Sequence, residues 1–168
     1  SISDYVSATA DWARLGYGLP DAEELARVST LFANVGDGIE NIADASSYMI
    51  SILKGFDLAA DDAQKVTDLI NEVANIEPAS ASDISEILTR SGAALHEAGN
   101  DLSQAISLGV AMNSVTQNAE STGQTLKTVS MYLRAAKTDL ENMGESSDGC
   151  SNSVSELRSE LKQLTGVD

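Results

Sequence analysis

Apolar side chains recur every three or four positions along almost the whole chain, which is the period of an α-helix. The pattern is clearest over residues 39–53, 63–73 and 84–98. No stretch alternates apolar and polar residues in the way that half-buried strands do. The sequence therefore predicts an all-α fold in which each helix turns one apolar face toward a shared core.

Proline and glycine mark the ends of the predicted helices. Pro20 suits the first turn of a helix, whereas Pro78 excludes a helix across its own position. Gly36, Gly55 and Gly99 follow apolar stripes, where a left-handed residue often closes a helix. The expected architecture is a compact bundle of about seven short helices, near residues 3–17, 20–35, 39–55, 60–76, 82–98, 101–117 and 122–142, with connections of two to six residues.

Helix starts show a second local signal. Four pairs of residues have the spacing of a capping box, in which two side chains bond to the first backbone amides of a helix. The pairs are Asp21 with Glu24, Asp37 with Glu40, Asp101 with Gln104, and Ser121 with Gln124.

The C-terminal end differs from the rest of the chain. A loop rich in Gly, Ser and Asp is expected over residues 144–153, followed by an extra helix near 153–165. Its seam of Val154, Leu157, Leu161 and Leu164 is narrow, as in a coiled coil. We expect a helical bundle domain over residues 1–143 and a polar loop with a C-terminal helix over 144–168. The seam could fold back or pair with another copy, which makes a dimer plausible.

Charge excludes several classes of partner. The chain has 26 acidic and 10 basic residues, a net charge of −16. Such a surface repels phosphates, so direct binding of nucleic acid and of anionic membranes is not expected. The apolar runs are too short to span a bilayer. Cys150 is the only cysteine, which excludes an internal disulfide or a zinc site built from several cysteines.

Composition also bears on stability. Aromatic residues make up 4% of the chain, so the core must be built from small aliphatic side chains. Ala, Ser, Gly and Thr crowd residues 43–47, 79–85, 91–98 and 119–125. Burial of apolar surface stabilises a fold by roughly 25 cal/mol per Å². Small residues bury little apolar surface and therefore contribute little stability. We therefore expect modest stability and easy rearrangement.

Possible catalytic and metal-binding groups have simpler structural explanations. His96 and Glu97 resemble the start of a zinc-protease helix, but Asn100 stands where the second His should be. Cys150 lies in a polar stretch and has no His partner. We therefore expect no enzyme, no catalytic, metal-binding or cofactor-binding residues, and no cofactor.

Three other patterns point to helix starts and turns. The paired acids are Asp61 with Asp62, Asp37 with Glu40, and Glu23 with Glu24, each at a predicted helix start, where acids offset the helix dipole. The dipeptides Asp37-Gly38 and Asp148-Gly149 lack the ligand spacing of a calcium loop. The glycines of Gly16-Tyr17-Gly18 do not complete a dinucleotide fingerprint, so a helix–helix turn is expected there.

The order of several segments resembles the tail tape measure proteins of Firmicutes phages and prophages. The longest such segment is TLKTVSMYLRAAKTDLE, at residues 125–141. Others are ANVGDGIE at 33–40, MIS at 49–51, GFDL at 55–58, DLINEVAN at 68–75, residues 82–95, Asp148-Gly149, and LRSELKQLTGVD at 157–168. The resemblance covers nearly the whole chain and departs at Cys150, where an apolar residue such as Met is expected.

The resemblance implies a structural function. Tape measure proteins fix tail length during assembly, occupy the tail tube, and leave it when DNA is ejected. They are much longer than this chain, so it is expected to be an internal fragment, located in the virion tail and in the host cytoplasm during assembly. Its implied partners are the tube, the tip or baseplate and assembly chaperones, and self-association is a further option. An acidic helical module for protein–protein interaction is the alternative.

Overall fold

The computed structural model describes residues 2–147 together with Glu156, Ser159, Lys162 and Gln163. Residues 2–147 contain seven α-helices, one short 3-10 helix at Ala60–Asp62, and no strand, which confirms the all-α prediction. The α-helices are α1 (Ile2–Arg14), α2 (Leu19–Val35), α3 (Ile42–Gly55), α4 (Ala63–Ile76), α5 (Ala81–Glu97), α6 (Leu102–Thr116) and α7 (Ala119–Asn142).

Four boundaries differ from the prediction by three residues: the end of α1 and the starts of α3, α4 and α7. Local backbone geometry explains those at α1 and α3. Helix α1 ends at Arg14 rather than near 17 because the chain turns at Gly16, where φ is +96°. Helix α3 begins at Ile42 rather than near 39. Its start is fixed by Asn41, whose side-chain oxygen accepts a hydrogen bond from the Asp44 amide at 2.9 Å.

The structure covers only some of the residues in the predicted C-terminal loop and helix. Residues 144–147 lie outside any helix, and Glu156, Ser159, Lys162 and Gln163 are helical, inside the expected span of 153–165. The seam of Val154, Leu157, Leu161 and Leu164 lies outside the described residues. The domain division after residue 143 therefore stays a prediction.

Of the four predicted capping boxes, one is present. The Asp101 carboxylate accepts from the Gln104 amide at 2.8 Å, and the Asp101 amide donates to the Gln104 side chain at 3.0 Å. The other three were wrong as boxes because the helices start elsewhere: Gly18 precedes α2, Asn41 caps α3, and Asn118 caps α7. An unpredicted box joins Ser80 to Asp83 at the start of α5.

Helix α5 lies at the centre of the bundle and packs against α3, α4, α6 and α7. Two ion pairs show the direction of α7 relative to α5. Arg90 pairs with Glu120 at 3.1 Å, and Glu97 pairs with Arg134 further along both helices. The two helices therefore run parallel. Helix α6, which connects them along the chain, brings the chain back to the end where α5 began.

Aromatic and aliphatic side chains fill the core between the first five helices. Trp12 and Phe32 are fully buried, and Phe56 is nearly so. The Trp12 and Tyr17 rings meet edge to face with centroids 5.4 Å apart. Their largest neighbours in the core are Leu25, Met49, Ile52, Leu53, Ile70, Ile84 and Leu88.

Glycines allow the closest approaches to α5. A Cβ atom at Gly109 of α6 would lie 2.9 Å from Ile87 Cγ2, and one at Gly123 of α7 would lie 3.0 Å from the Ile87 carbonyl oxygen. Both distances are too short for unstrained carbon contacts. Ile87 is therefore held between two helices that approach it through residues without side chains.

Candidate functional surfaces

The candidate zinc-helix residues have separate structural positions. His96 is exposed in the last turn of α5, and its ring meets Phe56 edge to face at 5.8 Å. Asn100 is buried, and its side-chain amide donates to the Leu95 carbonyl at 3.0 Å. Asn100 therefore bonds to a backbone carbonyl that has no partner within the helix at its C-terminal end. Among the described residues, no group of three or more His, Cys, Asp or Glu could hold a metal ion.

Two of the paired acids are engaged by basic neighbours. Arg27 donates to both carboxylate oxygens of Glu24, at 2.8 and 2.6 Å, and this hydrogen bonding lowers the pKa of Glu24. Lys65 lies 3.0 Å from Asp62 and, by its hydrogen bond, lowers the pKa of that carboxyl. A general acid needs its pKa raised toward neutrality, so both shifts run against acid–base catalysis at these residues.

The remaining candidate motifs are the glycine pair at 16–18 and the two Asp-Gly dipeptides. Gly16 lies in the turn between α1 and α2, as predicted. Asp37 lies in the α2–α3 connection, where its carbonyl accepts from the Ser82 amide at 3.0 Å and ties this loop to α5. Asp148, Gly149 and Cys150 lie outside the described residues.

A groove of about 680 Å³ separates α1 from α3. Its α1 side carries Asp4, Asp11 and Arg14, with Arg14 paired to Asp11 at 2.9 Å, and its α3 side carries Ile42 and Ile50. The groove therefore has an α1 edge with two carboxylates and one guanidinium, opposite apolar side chains of α3. Such a groove could accept an amphipathic helix with basic residues along its border.

The charge of the molecule is divided unevenly between its helices. Residues 1–101 contain 18 acidic and 5 basic residues, whereas residues 102–142 contain three of each. Helix α6 has no charged residue at all. The bundle therefore has a strongly acidic part, formed by α1–α5, and a neutral part, formed by α6 and α7. Counting charge by segment would have shown this in the sequence.

The neutral part also exposes large apolar side chains. Val115 of α6 is 83% exposed and Tyr132 of α7 is 72% exposed. Val129 and Met131 of α7 are also exposed, as is Met143, which follows the helix. None of the described helices is both long and apolar enough to cross a membrane.

Comparison with known proteins gives a match over the entire chain. A family model described as "phage-related minor tail protein" matches residues 1–168. No solved structure matches the chain.

Proposed function

Because the chain belongs to the family of phage-related minor tail proteins, and is thus a component of the phage tail, we propose that it is a segment of a tail tape measure protein. It helps to set tail length and takes part in tail assembly and DNA ejection, in a phage or prophage of the Firmicutes type. The observation that carries this proposal is the family match over residues 1–168. The order of segments that resembles tape measure proteins supports the finer assignment.

The helical architecture suits a ruler that changes length. A helix rises about 1.5 Å per residue, so 168 residues in one extended helix would span roughly 250 Å. The same residues in a compact bundle have a radius of gyration near 15 Å, on the order expected for this length. We infer two states: a compact bundle when the chain is free, and a more extended helical form inside the tail tube.

Two features of the core favour conversion between these states. Helices α6 and α7 meet α5 through Gly109 and Gly123, which bury little apolar area. The core also encloses serine hydroxyls with no hydrogen-bond partner, among them those of Ser29 and Ser85. A buried hydroxyl without a partner costs free energy in the compact state that extension would recover.

Mass spectrometry of purified tail particles tests the assignment to the tail first. Peptides from residues 1–168, at a few copies per tail and within a longer chain, are expected. If the protein is instead absent from particles and found in the cytoplasm bound to a discrete partner, the alternative is correct: an acidic helical interaction module that uses the groove between α1 and α3.

Measuring tail length tests whether this region of the protein sets it. An in-frame deletion of residues 102–142 removes 41 residues, so electron microscopy should show tails shorter by roughly 60 Å if this segment is helical in the tube. A tandem duplication of the same residues should lengthen tails by a similar amount. Tails of unchanged length in both variants would refute length setting by this region.

A disulfide tests the two conformations. A Cβ atom at Gly109 would lie 3.8 Å from the Cβ atom of Ile87, which is the usual separation in a disulfide. In a Cys150→Ser background, the double variant Ile87→Cys and Gly109→Cys should form this bond in the free chain but not in intact tails. Formation of the bond in tails as readily as in the free chain would exclude the extended form.

The expected partners are the tube, the tip or baseplate, and assembly chaperones. The host cytoplasm is the expected location before tails are complete. The acidic groove between α1 and α3 is the surface that we expect a chaperone helix with basic borders to use.

A further inference from the structure

The outer face of α7 carries a regular stripe of exposed side chains. Val129, Tyr132, Ala136, Asp139 and Met143 follow one another at steps of three, four, three and four residues, so they lie along one side of the helix. All five are exposed in the bundle. The stripe points away from Gly123 and Ser130, the buried residues by which α7 meets the bundle.

The side chains of this stripe are spaced almost symmetrically about Ala136: Tyr132 and Asp139 lie four and three residues from it, and Val129 and Met143 lie seven residues from it on either side. A two-fold axis at Ala136 would therefore place Val129 against Met143 of a second copy. It would also place the Tyr132 hydroxyl, a donor, against the Asp139 carboxylate, an acceptor.

We propose that the free chain forms an antiparallel dimer in which the α7 helices of two copies pack along this stripe, with the two-fold axis at Ala136. An isologous contact of this kind uses the same patch on both copies. The small side chains of Ala135 and Ala136 let the two helices approach closely at the axis. The paired segments, residues 129–143, are each about 21 Å long.

Charge favours a second copy at this face over any other face of the bundle. Two copies of a chain with net charge −16 repel each other. Residues 102–142 are neutral as a group, whereas residues 1–101 hold most of the excess acid. The stripe on α7 is therefore where two copies meet with the least repulsion, whereas a basic partner would be drawn to α1–α5.

Asp139 selects the antiparallel arrangement. In a parallel pair the two Asp139 carboxylates would face each other, and like charges at such a position are unfavourable. In the antiparallel pair each carboxylate faces a tyrosine hydroxyl, and a hydrogen bond to a charged group is among the stronger ones.

Site-directed cross-linking tests the geometry. In a Cys150→Ser background, Ala136→Cys should yield a disulfide-linked dimer under mild oxidation, because the axis brings both copies of residue 136 together. Val129→Cys alone should not cross-link, since its two copies would be about 21 Å apart, well beyond the reach of a disulfide. A mixture of Val129→Cys and Met143→Cys chains should cross-link.

The matched control is Ala10→Cys, an exposed alanine on α1. Cross-linking of Ala136→Cys that does not exceed this control would overturn the dimer. Cross-linking of Val129→Cys to itself would overturn the antiparallel order and indicate a parallel pair.

Sedimentation equilibrium tests the chemistry of the contact without new cysteines. Tyr132→Phe removes two hydrogen bonds from the symmetric dimer, one on each side of the axis, and should weaken the dimer by at least about tenfold. Val129→Glu should abolish the dimer, whereas Val6→Glu, an exposed valine on α1, should not. Added salt should strengthen association because it screens the acidic parts. A chain that stays monomeric at all salt concentrations, or a dimer indifferent to Tyr132→Phe and Val129→Glu, would refute the proposal.

Discussion

At the scale of single residues, the buried serines of the core differ in whether their hydroxyls have a hydrogen-bond partner. Ser85 and Ser91 lie six residues apart on α5, and both are fully buried. The Ser91 hydroxyl donates to the Ile87 carbonyl at 2.7 Å, whereas the Ser85 hydroxyl has no partner. The two side chains have the same chemistry and the same burial but different free energies.

These two serines give a matched pair of substitutions. Ser85→Ala should stabilise the fold by about 1 kcal/mol, because it removes a buried hydroxyl that has no hydrogen bond. Ser91→Ala removes a satisfied hydroxyl and should be neutral or destabilising by up to about 1 kcal/mol. Urea denaturation of both variants measures the difference. A loss of stability in Ser85→Ala would show that its hydroxyl has a partner in solution.

Gly123 allows α7 to approach α5 closely. A methyl group there would meet Arg90 Cβ at 2.9 Å and the Ile87 carbonyl at 3.0 Å. Although alanine is favoured over glycine in a helix by about 1 kcal/mol, overpacking of this kind costs about 1–3 kcal/mol.

Gly123→Ala should therefore lower the free energy of unfolding, against the trend expected from helix propensity. The control is Thr128→Ala, an exposed position on the same helix, which should be neutral or slightly stabilising. If Gly123→Ala raises the free energy of unfolding as Thr128→Ala does, α5 and α7 do not pack as closely as described.

At the scale of helices, boundaries are set by side chains that bond to the first backbone amides. Asn118 caps α7 by accepting from the Ser121 amide at 2.8 Å. Ser121, which has capping-box spacing with Gln124, lies inside the first turn and is exposed. Gln117, the residue before Asn118, has a left-handed backbone with φ of +50°. This conformation ends α6 at Thr116, so only two residues separate α6 from α7.

Asn118→Ala should lower stability by about 1 kcal/mol, the usual cost of losing such a cap. Ser121→Ala should leave stability unchanged or raise it slightly, because its side chain does not cap the helix. Thermal unfolding followed by circular dichroism compares the two. The reverse order of effects would mean that α7 starts at residue 122, as the sequence alone predicted.

At the scale of the whole molecule, net charge opposes the compact state. The chain carries −16, and repulsion within such a chain destabilises its folded form. Arg27 and Lys65 pair with neighbouring acids, but these ion pairs are largely exposed, and exposed pairs contribute little to stability.

Raising the salt concentration from about 0.01 to 1 M shortens the Debye length from about 30 to about 3 Å. The melting temperature should therefore rise across this range, measured with sodium chloride at constant pH. It should stay well below about 90 °C, the usual threshold of hyperstability, since small side chains and unpaired hydroxyls limit the core. A melting temperature that falls with salt would show that attractive ion pairs outweigh the net repulsion.

The sequence by itself determined the helical class, the number of helices within residues 2–147 and most of their limits. It could do so because apolar periodicity, the restricted backbone of Pro and the freedom of Gly act within a few residues. Pro78 interrupts a helix whatever lies around it. The capping box of Asp101 and Gln104 was predictable for the same reason, since both partners lie within one turn.

Only the tertiary structure decided which helices meet and which faces stay exposed. Nothing local shows that Ile87 lies between Gly109 and Gly123, or that Ser85 lacks a partner while Ser91 has one. The stripe from Val129 to Met143 resembles a core face in sequence, yet it is exposed because Gly123, Leu126 and Ser130 turn the opposite side of α7 toward the bundle. Packing depends on residues far apart along the chain, whose mutual distances are fixed only when the whole bundle forms.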